Sequence, residues 1–291
     1  MGIVAKFSTG ASVRRTEDQR FVTGQGQYTD DINLEGQAHM AVVRSPFAHA
    51  DIRSISTDDA REAEGVLAVY TAADLIAAGV TNHLPYTIVS DNSAKPDRRI
   101  LAQDRVRFAG EPVAVVIAET LAQAEEAAEL VEVDYDVRPA VTSIEDALAE
   151  GAPQLHDDAP GNIAYRWQGV GTDEAIEAAF EKADKVIDMR VVNNRVIVVT
   201  MEPRSALAEV DEDGKLTVIT GTQGGWNLKR RLAEHMGIDA DTIRIVTPDV
   251  GGGFGMKVFT YPEQYLAPFA ARKLRRPVKW VAGRGESMLS D

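Results

Sequence analysis

Residues 250–257 read Val250-Gly-Gly-Gly-Phe-Gly-Met-Lys257 and follow the β-branched run Ile243-Arg-Ile-Val-Thr247. Glycine lacks a Cβ, so the N–H groups of such a loop can approach an anion or a polar heterocycle closely. A strand that feeds a glycine loop and then a helix start is the usual geometry for this. Thr260-Tyr-Pro-Glu263 has the capping pattern of that helix, and Pro268 falls inside it, where a kink is expected. Two phosphate fingerprints fail. A G-x-G-x-x-G match would need glycine at Met256 or at Val258, and a Walker A loop would need glycine where Met256 precedes Lys257. The plain alternative is a tight strand-to-helix turn that binds nothing, and spacing alone leaves both readings open.

Upstream of the loop, the chain is β-rich. Lys185 to Val192, Asn194 to Thr200 and Lys215 to Thr220 read as strands, with an Asp-Gly turn at Asp213-Gly214 before the last of them. Trp226 to Met236 reads as a helix stopped by Gly237. Gly151 to Asn162, rich in Gly, Pro, Asp and Asn, reads as a linker between two segments. Before it, Ala38 to Arg44, Val66 to Tyr70, Pro112 to Ala118 and Val131 to Val137 have strand character. Thr120 and Gln123 are placed to form a capping box on the Ala- and Glu-rich helix that ends near Leu130.

Composition narrows the function classes. The 291 residues allow about two domains. The net charge of −14 disfavours nucleic acid, whose phosphate backbone such a surface repels. The absence of cysteine excludes disulfides, thiolate catalysis and cysteine-ligated iron–sulfur clusters within this chain. Arg14-Arg15 is followed by Thr16-Glu-Asp-Gln19 rather than an apolar run, so no export signal is expected there. No run approaches a membrane span. The expectation is a cytoplasmic protein that does not engage a membrane.

Six segments, in order along the chain, resemble the molybdenum hydroxylases, the family of xanthine dehydrogenase, aldehyde oxidase and aerobic carbon monoxide dehydrogenase. Gly24-Gln-Gly-Gln-Tyr-Thr-Asp-Asp31 is similar to an early G-x-G-x-Y-x-D-D segment of the large subunit. Arg44-Ser-Pro-Phe-Ala-His-Ala50 is similar to a segment of its hammerhead domain. Met201-Glu-Pro-Arg204, Thr222-Gln223, the glycine loop itself and Arg276-Pro-Val-Lys-Trp280 follow in the family's order.

The resemblance implies an α+β chain. Residues 1–150 would form an α/β-hammerhead domain and residues 151–291 the first part of a molybdopterin cofactor-binding domain. It implies an oxidoreductase subunit that hydroxylates an aldehyde or an N-heterocycle, or oxidises carbon monoxide. Its cofactor would be molybdenum-molybdopterin in the cytosine dinucleotide form, completed by polypeptide outside this chain. Gln223 matches the glutamine whose amide meets an oxygen ligand of molybdenum, and Phe254 and Gly255 match residues lying against the metal. Gly252 and Gly253 would allow that approach, and no residue of this chain is expected to ligate the metal directly.

The family's subunits are more than twice as long as this chain, and their general-base glutamate lies in the later part. The implied partners are therefore the remaining part of the molybdenum subunit, an iron–sulfur subunit and an FAD subunit; a homodimer is also considered. A truncated chain, a split subunit and a noncatalytic scaffold or cofactor-handling relative all remain open. Val258 stands where the xanthine-oxidising branch has a glutamate, which leans toward the carbon monoxide branch.

Other residues have simpler readings. His49 is expected to stabilise a turn, and His235 to sit on a helix surface. Asp30-Asp31 and Asp157-Asp158 read as turn residues, and Glu202 as a structural acid pairing with Arg204. The later segment is expected to expose an apolar face or an open sheet edge.

Overall fold

A computed structural model describes residues 13–85, 93–166, 169 and 171–290. Residues 1–12 and Asp291, to which the two expected domains extend, lie outside the described residues. The first part of the chain runs α1 (Asp18–Val22), β1 (Ala38–Arg44), β2 (Ala50–Ser56), α2 (Asp58–Glu62), β3 (Val66–Thr71) and α3 (Ala72–Ala77). It continues with β4 (Arg105–Val106), β5 (Pro112–Ala118), α4 (Leu121–Glu129), β6 (Glu132–Val137) and α5 (Ile144–Leu148). The second part holds α6 (Asp173–Glu181), β7 (Ser205–Val210), β8 (Leu216–Ile219), α7 (Gly225–Met236) and β9 (Ile243–Val246). It closes with α8 (Glu263–Leu274), β10 (Val278–Val281) and α9 (Arg284–Leu289).

One seven-stranded sheet runs through both parts in the order β3-β5-β1-β10-β7-β8-β9, and a three-stranded sheet has the order β4-β2-β6. The strands of residues 20–140 pair antiparallel with one another. The parallel character of the large sheet comes from β1 beside β10 and from β8 beside β9. Strand β5 is buried along all its residues, as expected of an apolar run covered on both faces. Helices α7 and α8 cover one face of the sheet and share its main core through Leu228, Leu232, Tyr265 and Phe269. Tyr70 on β3 meets Phe269 edge to face at 5.1 Å between ring centroids.

Local signals act as written in the sequence. Thr120 accepts from the Gln123 amide and the Gln123 side chain accepts from the Thr120 amide, closing the capping box of α4. Gly237 takes φ 62° as the left-handed stop of α7.

Three expectations are corrected. Residues 185–192 and 194–200 are not strands: a strand needs a hydrogen-bonding partner, and none pairs with them among the described residues. Helix α8 begins without a Thr260 cap. Pro262 is its N-cap with no side-chain cap bond, and the Gln264 side chain accepts from the Tyr261 amide instead. His235 is not on a helix surface but buried inside α7, 4.8 Å from the Tyr265 ring, because it faces α8 across the core. Burial pushes its pKa down to about 4.

Candidate functional site

Strands β8 and β9 are parallel neighbours, with Ile219 opposite Val246. Their C-terminal ends therefore point the same way, and the loops that leave them are brought together. The loop after β8 carries Thr222 and Gln223; the loop after β9 carries the glycines. The Gly255 N–H donates to Gln223 Oε1 at 3.1 Å, and the Gln223 N–H donates to the Lys257 carbonyl at 2.9 Å. Thr222 Oγ1 donates to the same carbonyl at 3.2 Å. With its oxygen engaged by Gly255, the Gln223 carboxamide is left with its Nε2 donors, which reach no acceptor among the described residues.

The glycines do different work from one another. A Cβ on Gly253 would lie 2.6 Å from the Gln223 side-chain oxygen, and one on Gly251 would lie 2.5 Å from Glu202 Cβ. These two are small because the protein's own side chains press against them. Gly252 and Gly255 instead take φ +106° and +93°, conformations other residues adopt only with strain. Nothing lies within 4 Å of the Cβ position of Gly255. Phe254 also has positive φ, 49°, and its side chain is 81% exposed. A bulky residue held in this conformation on the surface stores about 1–2 kcal/mol of backbone strain.

The backbone N–H groups of Gly252, Gly253 and Phe254 donate to no acceptor among the described residues. Three successive free amides beside the Nε2 donors of Gln223 make a concentration of donors suited to oxygen ligands or an anion. The early Gly24–Asp31 segment lies alongside. The Gln27 N–H donates to Asp249 Oδ2 at 2.7 Å, and the Asp249 N–H donates to the Gln27 carbonyl at 3.0 Å. Hydrogen bonds from Arg20 and from that Gln27 amide hold the Asp249 carboxyl down at about 2.

Glu202 does not pair with Arg204. Its carboxylate accepts from the Gly251 N–H at 2.7 Å and from Lys257 Nζ at 2.8 Å, beneath the loop. Arg204 lies over the Tyr261 ring at 3.9 Å and donates to Ser290 at 2.5 Å. Lys257 is the residue the sequence reading missed. Its side chain is 1% exposed; its place directly after a glycine loop was the signal, but its acidic partner lies in a distant segment. His49 Nδ1 lies 2.8 Å from the Pro139 carbonyl, a contact between the segment before β2 and the one after β6 rather than within a local turn. Lys279 Nζ contacts the Asp30 carboxylate at 3.1 Å, and Arg105 the Asp157 carboxylate at 3.6 Å. Among the described residues no group of three or more metal-ligating side chains comes together, and no helix is long and apolar enough to cross a membrane.

A separate cavity of about 960 Å³ is lined by residues including Arg44, Arg107, Glu111, His156, Phe259 and Glu263. None of the residues expected at the site from sequence lines it. Burial raises the pKa of Glu111 there to about 7, against the opposing hydrogen bond from the Arg107 amide.

Residues 23–139 match the family model for the aldehyde oxidase and xanthine dehydrogenase a/b hammerhead domain. Residues 155–291 match that for the molybdopterin cofactor-binding domain. The nicotine 6-hydroxylase large subunit of Paenarthrobacter nicotinovorans is 37% identical over 284 residues, which are 97% of this chain and 34% of the relative. The carbon monoxide dehydrogenase large chain of Hydrogenophaga pseudoflava is 36% identical over 285 residues, 94% of this chain and 34% of the relative. Among solved structures, quinoline 2-oxidoreductase from Pseudomonas putida 86 superposes with a TM-score of 0.88 at 37% identity, over 97% of this chain and 36% of the other. The chain thus spans about a third of the length of the curated relatives it matches.

Proposed function

The chain belongs to the molybdenum hydroxylase family, and on that premise we propose that it is the N-terminal portion of a large subunit and forms one wall of a molybdenum-molybdopterin site in a larger oxidoreductase. The observation that carries this reading is the convergence of Gln223 on Gly255, with the free amides of Gly252, Gly253 and Phe254 beside it. The residues fit the group, because a donor-rich, Cβ-free edge suits oxygen ligands that carry negative charge. Gln223 Nε2 and the loop amides would hold those ligands, and the exposed Phe254 ring would cover them from water. When bound, the molybdenum–pterin group supplies two-electron oxidation of the substrate. The chain's own contribution is to bind and orient through donors fixed before substrate arrives, which is where such hydrogen bonds are strongest.

The proposed reaction is hydroxylation of an aldehyde or N-heterocycle, or oxidation of carbon monoxide. We take residues 1–150 and 151–291 as the hammerhead and cofactor-binding segments, and the cofactor as the cytosine dinucleotide form. The general base and most pterin contacts are assigned to the remaining part of the molybdenum subunit, and electron exit to iron–sulfur and FAD subunits. Support for this division is that a chain without cysteine cannot ligate a cluster through thiolates, and that relatives carry names such as large subunit and large chain. A cytoplasmic location is part of the same proposal and is read by cell fractionation.

The test is elemental and chemical analysis of the purified complex containing this chain. Molybdenum and pterin in equal amounts with the chain, with cytidine monophosphate released on acid hydrolysis, are expected. Gln223→Ala should lower turnover on the order of 10²-fold while the chain still assembles. A fully assembled complex that holds neither molybdenum nor pterin would leave the scaffold reading in its place.

A further inference from the structure

We propose that Glu202 and Lys257 act as a positioning pair that sets the glycine loop at the height where Gln223 and the loop amides face one ligand; this rests on the site reading above. Their bonds grip both ends of the loop. The Glu202 carboxylate takes the Gly251 N–H at 2.7 Å, and the Glu202 N–H donates to the Gly251 carbonyl at 3.1 Å. Lys257 Nζ donates to that carboxylate at 2.8 Å and to the Glu202 carbonyl at 3.1 Å. The Lys257 backbone carbonyl then accepts from both the Gln223 N–H and the Thr222 hydroxyl. One residue therefore links the buried ion pair to the backbone of the residue that presents the carboxamide.

The pair is well withdrawn from water, at 1% side-chain exposure for Lys257 and 11% for Glu202. Two apolar side chains of like volume would fill the same space without desolvating two charges. What the charges add is direction: a carboxylate that must be shared between an ammonium and one backbone amide fixes where that amide lies. Gly221 is drawn into the same arrangement, its Cβ position lying 3.4 Å from Glu202 Oε2 and 3.5 Å from Lys257 Nζ. The loops after β8 and β9 are thereby held by one pair of side chains.

The test uses the complex containing this chain, with Glu202→Gln, Lys257→Met and the double substitution. Hydrogen exchange at the bonded loop amides of Gly251, Gly255 and Met256 reads loop position; molybdenum retained per chain after dialysis reads binding. Each single substitution should speed loop exchange by about tenfold or more and lower retained molybdenum severalfold, leaving peptides of β1 and β5 unchanged. Glu202→Gln should have the larger effect, since it leaves the buried ammonium without a counter-charge. The double substitution leaves no unpaired charge and should fall between Glu202→Gln and the parent. Without the Lys257 bonds to the side chain and carbonyl of residue 202, its loop should still exchange faster and hold less molybdenum than the parent. A double variant that matches the parent in both readouts would overturn the proposal. Loop exchange that matches the parent in the single variants would overturn the proposal. So would sheet peptides that lose protection together with the loop, or a faster loop that retains molybdenum fully. A parent complex without molybdenum would sink the site reading, while loop exchange would still decide the role of the pair.

Discussion

Arg44 on β1 forms an ion pair with Glu263 in the first turn of α8, the two side chains being 9% and 0% exposed. The same guanidinium reaches Glu286 of α9 at 2.7 Å. Burial works against ionising Glu263, yet the charges of Arg44 and Arg204 outweigh it and hold its pKa below the usual carboxylate value. Arg44→Met would take the ion-pair partner from two carboxylates, leaving the wholly buried Glu263 with only the Arg204 charge nearby. The expected loss is about 3–5 kcal/mol of unfolding free energy, read by urea denaturation of the purified chain. A loss under about 1 kcal/mol would mean that water reaches the cluster and screens it.

Two buried groups give opposing pH dependences. His235, with a pKa near 4 in the fold against an ordinary 6.5, contributes stability that is complete above 6.5 and is lost as pH falls toward 4. Glu111, raised from 4.5 to about 7, contributes stability that is complete below 4.5 and is lost as pH rises through 7. Between pH 4.5 and 6.5 their slopes oppose each other. Glu111→Gln removes one of them, so the melting temperature of this variant relative to the parent should climb steadily from pH 4.5 to 7. A difference between variant and parent that does not change with pH would show that Glu111 titrates as an ordinary carboxylate.

The elements legible in the sequence are those whose partners are local or whose burial is complete. Strand β5 reads as an apolar run because both its faces are covered, and α4 announces itself through the Thr120–Gln123 box, which closes within four residues. Residues 185–200 read as strands for the same β-branched reasons, but pairing is a property of the partner, and no strand among the described residues meets them. At the site, the resemblance of Thr222-Gln223 and of the glycine loop to the family's segments brought Gln223 and Gly255 into view. The Glu202–Lys257 pair stayed hidden because a 55-residue separation says nothing about contact. His235 was misread because one polar residue on a helix near its end looks like a surface residue until the packing of α8 is known.

Two glycines of the loop should respond differently to the same change. Alanine at 253 would meet the tip of Gln223 at 2.6 Å, a flexible group that can swing away. Gly253→Ala should therefore cost little stability, under about 1 kcal/mol, while moving the carboxamide off Gly255 and lowering the molybdenum held by the complex. Alanine at 255 meets nothing, but its φ of +93° is strained for any residue with a Cβ. Gly255→Ala should cost about 1–2 kcal/mol in thermal unfolding of the chain. Equal behaviour of the two variants in both measurements would mean that packing against Gln223 does not place the amide.

The last expectation concerns the segment between α6 and β7. Ile187, Met189, Val191 and Val196 are 78%, 81%, 73% and 80% exposed, on backbone that makes no strand pairing among the described residues. Such a segment exposes both apolar area and backbone N–H and C=O groups outside any strand pairing among the described residues, the two things a neighbouring strand would cover. If the proposed large-subunit remainder covers this segment, hydrogen exchange across residues 185–200 should be slow in the complex and fast in the chain alone. Val191→Asp tests the same point from the side chain. On the isolated chain it should change the unfolding free energy by less than about 0.5 kcal/mol, because the position has little contact to lose. In co-expression it should weaken assembly, because a charge is then carried into a strand interface without a partner. Exchange that stays fast in the assembled complex, together with normal assembly of the Val191→Asp variant, would show that this segment faces water in both states and that the partner docks elsewhere.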